Sequence, residues 1–228
     1  MAGHGSPTPD QWLQQLRGRF IVFDGPDGSG KSTQFSRFSR LCAGAGITVC
    51  EVREPGGTTI GEKIRDILLD PENTDITLPC EMLLYMASRA QLVLQRVQPA
   101  LARGELVLAD RFISSTLAYQ GTAGGLSWEQ IMSVGRVAMG ERHPDLTVVF
   151  DVDETIAAGR LNPLLDRMEQ KGIEFHRRVR EGYLEQVRNP PYGEYLVIDA
   201  SPEPDEVFQS LLHALQTAAH GRSCASKE

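Results

Sequence analysis

Gly25-Pro-Asp-Gly-Ser-Gly-Lys31-Ser32 decides the fold of this chain. It fits the spacing G-x-x-x-x-G-K-[ST], and each residue type in that pattern has a physical reason. Glycines let consecutive backbone N–H groups turn inward around phosphate oxygens. A helix opening at Lys31 aims its N-terminal partial charge at the same anion. Lys31 can reach the β- and γ-phosphates, and the Ser32 hydroxyl suits Mg²⁺, a hard ion that prefers oxygen. Gly25, Pro26, Asp27, Gly28, Ser29, Gly30, Lys31, Ser32 and Thr33 are therefore the expected cradle for a nucleoside triphosphate, ATP.

Such a loop needs a strand before it and a helix after it. Phe20-Ile-Val-Phe23 is a buried strand, and Ser32 to Leu41 reads as helical. Further out, apolar runs alternate with helical patterns. Strands are predicted at Thr48–Val52, Leu106–Ala109, Leu146–Phe150 and Tyr195–Ile198. Helices are predicted at Ile60–Leu69, Leu78–Leu101, Trp128–Met139, Ile173–Val187 and Glu203–Ala219. Short, nearly all-apolar strands separated by helices indicate a parallel sheet covered on both faces. The expectation is one α/β domain over residues 18–220, a three-layer P-loop NTPase fold with a five-stranded parallel sheet. Residues 1–17, rich in Gly, Pro, Gln and His, read as a loose extension, and 221–228 as a loose tail.

Bulk properties narrow the class. The 228 residues carry a formal net charge of -7. An acidic chain repels a nucleic-acid backbone, so nucleic acid is not an expected partner. No apolar run approaches the roughly 18 residues needed to cross a membrane, and no signal pattern opens the chain. Cys42, Cys50, Cys80 and Cys224 are scattered, which reads as reduced thiols in a cytoplasmic protein.

A phosphate loop alone does not say where the γ-phosphoryl group goes. Guanine-nucleotide switches need a base-reading N-K-x-D, and this chain has none. Phosphoryl transfer to a small acceptor needs in-line positioning and cations for the moving charge. Arginines at loops after strands would supply them. Arg53 follows the second strand, Arg111 the third, Arg65 and Arg89 lie on the helices between, and Arg160 and Arg167 flank a later loop.

Five segments then carry a resemblance: Arg53-Glu-Pro-Gly-Gly-Thr58, Ala87-Ser-Arg89, Asp110-Arg-Phe-Ile-Ser-Ser115, Ala118-Tyr-Gln-Gly121 and Pro144-Asp-Leu-Thr147. Their order and spacing resemble bacterial thymidylate kinases from about Arg19 to Ala219. The resemblance implies phosphoryl transfer from ATP to dTMP, giving dTDP and ADP. It implies that Tyr85 stacks on thymine, and that Arg89, Ser115, Thr116 and Gln120 surround the base. Tyr119 would lie against the sugar 2′ carbon and exclude a ribose hydroxyl. Asp27 would accept the sugar 3′-OH, and Arg53, Arg65 and Arg111 would hold the acceptor phosphate. Lys31, Arg111, Arg160 and Asp110 would be the catalytic set, with Ser32 and Asp110 serving Mg²⁺.

Family members differ in the source of one catalytic arginine. Some carry it in the phosphate loop after the acid, and others carry Gly there and supply it from a lid. Gly28 follows Asp27 here, so a lid over about 159–172 is expected to supply it: Arg160 is the first candidate for the γ-phosphate, and Arg167 either joins it or pairs structurally with Glu169 or Asp166. The resemblance also implies a homodimer. Two other readings stand beside this one: another (deoxy)nucleotide kinase, and a non-catalytic nucleotide-binding module.

Overall fold

The computed structural model describes residues 11–160 and 166–225. In chain order its regular elements are β1 (Phe20–Asp24), α1 (Lys31–Gly44), β2 (Val49–Arg53), α2 (Thr59–Leu69), α3 (Leu78–Leu92), α4 (Gln98–Ala102), β3 (Leu106–Asp110), α5 (Ile113–Thr116), α6 (Trp128–Met139), β4 (Leu146–Asp151), α7 (Glu154–Arg160), α8 (Ile173–Arg188), β5 (Glu194–Asp199) and α9 (Pro204–Ala225). All strand pairs are parallel, in the order β2-β3-β1-β4-β5. The P-loop α/β fold with a five-stranded parallel sheet is what the sequence predicted.

Period-two alternation on β1 explains the layers. Ile21 and Phe23 face one side, where they meet Phe38 and Cys42 of α1 and Leu211 and Leu215 of α9. Phe20 and Val22 face the other, against Met86 of α3 and Ile131 and Met139 of α6. A strand apolar on every residue can be satisfied only by helices on both faces. β1 is fully buried along its length, so the loop that follows it starts from a rigid support.

Two boundaries differ from the sequence reading. Gln11–Leu16 form a 3-10 turn whose Trp12, Leu13 and Leu16 are buried against Leu211 and Leu215 of α9. The loose extension therefore does not reach residue 17. Large apolar side chains gain about 1.5–3 kcal/mol each from burial, enough to hold a short turn in place. At the other end, α9 continues to Ala225, so helix covers most of the expected tail.

The helical run from Leu78 to Ala102 is interrupted by a π turn at Val93–Val97, just before Pro99. Proline has no N–H for the carbonyl four residues back, and a wider turn accommodates that loss. A second π segment, Leu117–Ala123, continues α5. Neither this segment nor α7 is among the helices that periodicity indicated, because both are short.

Candidate active site

Two cavities open along the C-terminal ends of the strands, where open parallel sheets place their ligands. One, of about 530 Å³, is bounded by Gly28 to Gln34, by Arg160, and by the turn after β5 at Ala200, Pro202 and Glu203. The other, of about 320 Å³, lies between the phosphate loop, α2, α3 and the π segment. Lys31 and Ser32 line both. A third cavity of about 330 Å³ sits near Leu16, Arg19 and Leu215 and includes no phosphate-loop residue.

The first cavity is the phosphate loop itself. Gly30 stands at φ +76 and hands the chain into α1 at Lys31. Gly28 has φ +77, and a Cβ there would lie 2.2 Å from the Ala157 carbonyl oxygen of α7. The loop and α7 are thus packed backbone to backbone. Arg160 ends α7 and lines this cavity, with its guanidinium donating to Ala200 O at 2.8 Å and Ser201 O at 2.9 Å.

The second cavity gathers most of the sequence-predicted acceptor residues. Asp27, Arg53, Arg65, Tyr85, Asp110, Arg111, Ser115, Thr116, Tyr119 and Gln120 all line it. Asp24, fully buried at the end of β1, braces the wall from behind. It accepts from Ser114 Oγ at 2.6 Å, Ser115 Oγ at 2.7 Å and Tyr183 OH at 2.6 Å. Arg111 donates to Gly25 O at 3.1 Å, to Ser115 Oγ and Tyr183 OH at 3.0 Å each, and to Asp27. Arg111 itself has φ +69, a left-handed conformation uncommon for a long side chain. Tyr119 OH donates to the other Asp27 oxygen at 2.6 Å.

These contacts set the charge states. Burial pushes the Asp27 carboxyl up, but Arg111 and Lys31 outweigh it and hold the group below the usual carboxylate range. Burial, followed by Arg111, lowers the Lys31 ammonium, while Asp110, Asp27 and Asp24 oppose the change. Burial and then the neighbouring Arg53 lower Arg65. Lys31, Arg53, Arg65 and Arg111 thus crowd one cavity wall, an arrangement suited to an anionic ligand. Asp110 Oδ1 is buried with no hydrogen-bond partner and shares a cavity wall with Ser32. Two hard oxygen donors, one of them unsatisfied, fit a divalent ion.

Two placements depart from the sequence reading. Arg89 does not line the cavity: it is 1% exposed and lies behind Glu54 and Thr116. It pairs with Glu54 at 2.6 Å and donates to Thr116 Oγ1 at 3.0 Å. Burial pushes the Glu54 carboxyl up to about 7 against the pull of Arg89. Arg167 does not reach either Asp166 or Glu169. It donates to Leu68 O at 2.7 Å and pairs with Glu81 at 2.6 Å, tying the end of the lid segment to α2 and α3. Residues 161–165, the middle of the expected lid, lie outside the described residues.

Asp24, Glu54, Glu81 and Tyr183 were missed by sequence reasoning. Asp24 gave one signal, an acid closing an otherwise apolar strand, and Glu54 lay unassigned inside a quoted segment. Glu81 and Tyr183 gave none, because their partners are distant in the chain.

A family model described as thymidylate kinase matches residues 23–211. A thymidylate kinase of Geobacillus sp. (strain WCH70) is 39% identical over 211 residues, covering 91% of this chain and all of that protein. One of Desulforudis audaxviator is 46% identical over 190 residues, covering 82% of this chain and 86% of the other. Among solved structures, thymidylate kinase from Ehrlichia chaffeensis superposes with a TM-score of 0.71 at 29% identity, over 86% of this chain and 98% of that one. The chain belongs to the thymidylate kinase family.

Proposed function

We propose that the conversion of ATP and dTMP to ADP and dTDP runs in this chain across the junction of the two cavities. The observation that carries this reading is that Lys31 and Ser32 line both. The triphosphate occupies the phosphate-loop cavity and dTMP the other, so the γ-phosphoryl group lies beside Lys31. A phosphate oxygen of dTMP attacks the γ-phosphorus, and the bond to the β,γ-bridging oxygen breaks. A phosphate monoester has a second pKa of about 6, so it is mostly a dianion at neutral pH and needs no base. Lys31 and Arg111 neutralise the moving charge. Ser32 and Asp110 would hold Mg²⁺, which when bound offsets triphosphate charge.

Arg53 and Arg65 hold the acceptor phosphate, supported by their place side by side on the cavity wall. Tyr119 lies against the sugar 2′ carbon, and Asp27 takes the 3′-OH, since each of its oxygens keeps a lone pair beyond the bonds described. Tyr85 stacks on the base, with Thr116 and Gln120 at its edge and Arg89 acting from behind Thr116. Arg160 is the lid cation: no side chain fits at Gly28, and Arg160 lines the triphosphate cavity. Arg167 anchors the lid rather than the phosphate.

We read the protein as a cytoplasmic homodimer. Leu94 on the helical run after α3 and Val137 on α6 are 65% and 86% exposed, and a second copy would cover them. Among the described residues no helix is long and apolar enough to cross a membrane.

ADP release measured against a panel of monophosphates tests the reading. The expected result is turnover with dTMP well above dCMP, dGMP and TMP with a ribose sugar. Equal turnover across the panel would refute it. Arg160→Ala should lower kcat with little change in the KM for dTMP, and an unchanged kcat would remove the lid role.

A further inference from the structure

Gln120 presents a polar edge to the dTMP cavity, and an amide can present either of two opposite polarities. Its carbonyl would accept a hydrogen bond, and its NH₂ would donate one. Thymine and cytosine differ at that point: thymine N3 carries a hydrogen, and cytosine N3 is an acceptor. Which way Gln120 faces therefore decides which base the site favours.

The deciding contact lies behind Gln120, on α3. Gln120 is 1% exposed, and its Nε2 donates to Glu81 Oε1 at 2.8 Å. Glu81 is 2% exposed, and its other oxygen faces Arg167 Nη2 at 2.6 Å and Lys171 Nζ at 3.3 Å. Arginine and lysine only donate, so both oxygens of Glu81 are used as acceptors. Facing such a group, Gln120 has one satisfactory orientation, with NH₂ toward Glu81 and Oε1 toward the cavity. Reversal would set two acceptors against each other in a buried site, a costly arrangement.

We infer that Glu81 is a specificity-positioning residue, which locks the Gln120 amide with its carbonyl toward the base and so favours pyrimidines that carry an N3–H over cytosine. Glu81 does not touch the substrate. Arg167 and Lys171 belong to the segment that closes the lid, so the same carboxylate joins lid anchoring to base reading. The inference rests on the proposal that the base lies beside Gln120.

Glu81→Gln tests it with an isosteric change. In that variant the amide oxygen stays with Arg167 and Lys171, and its NH₂ turns toward Gln120. Gln120 must then reverse and aim its own NH₂ into the cavity. Calorimetric Kd values for dTMP and dCMP are the readout. The expected result is a fall of at least about 10-fold in the preference for dTMP, with dTMP itself binding more weakly. Lys171→Met removes a lid contact but leaves the Glu81–Gln120 pair, and should hold the preference within about 2-fold of the parent, as expected for a contact outside base reading. The exchange Glu81→Gln with Gln120→Glu restores an acceptor at the base and should restore the preference. If Glu81→Gln is too unstable to purify, this double variant carries the test, and loss of preference in it overturns the inference. An unchanged preference in Glu81→Gln, with collapse in Gln120→Ala, also overturns it while leaving Gln120 as a base contact. An unchanged preference in Gln120→Ala removes the base-site reading and the inference together.

Discussion

Replacing Gly28 with alanine separates two costs that usually arrive together. Gly28 and Gly30 have nearly the same backbone conformation, φ +77 and φ +76. A left-handed conformation costs a residue with a Cβ about 1–2 kcal/mol, so both substitutions incur that term. Their surroundings differ. A Cβ at Gly30 meets nothing within 4 Å, and one at Gly28 lies 2.2 Å from Ala157 O. Ordinary carbon–oxygen contact needs more than 3 Å, so α7 must shift by about 1 Å or the loop must distort. Overpacking of this kind costs about 1–3 kcal/mol. Gly30→Ala should therefore lower unfolding free energy by about 1–2 kcal/mol and Gly28→Ala by about 2–5 kcal/mol. The assay is urea unfolding of each ligand-free variant with linear extrapolation. Gly28→Ala should also lower kcat more than its stability loss accounts for, because Arg160 moves with α7. Equal stability losses, within about 0.5 kcal/mol, would refute the packing of α7 on the loop.

The charge states yield three further tests. Asp27 is held below its ordinary pKa of 3.8, so its charge stabilises the fold above that pH and the contribution disappears as pH falls through the folded value. Asp27→Asn should be less stable than the parent at pH 7, with the gap closing in acid unfolding curves below about pH 4; a constant gap would contradict this. Lys31 is held below 10.5 when ligand-free, and a bound polyanion favours its charged form. ATP binding at alkaline pH should thus take up protons, seen as a buffer-dependent calorimetric enthalpy that Lys31→Met abolishes. Tyr119→Ala opens the wall beside the sugar and should raise the relative use of ribose TMP about 10-fold or more, read as a kcat/KM ratio; no change would end the steric account of sugar choice.

Legibility in the sequence followed the distance over which each interaction acts. The phosphate loop was readable because its nine residues are contiguous, and their backbone N–H groups and the helix end act together. β1, β3 and β4 were readable because a strand buried on both faces must be apolar at every position. The contact of Asp24 with Tyr183 was not readable, since it spans 159 positions of chain. Glu81 reaches Lys171 across 90. Trp12, Leu13 and Leu16 were obscured by polar neighbours, and α9 with the core beneath it gives them a surface to bury against.

By itself, then, the sequence determined the α/β layering, the phosphate loop and the family, because those depend on local periodicity and on spacing within short segments. Tertiary structure decided the rest of the site: that Gly28 abuts α7, that Arg89 stands behind the cavity wall, that Arg167 anchors to Glu81, and which way Gln120 turns. Those outcomes depend on partners brought together from different strands and helices, and on the demand that each buried donor meet an acceptor.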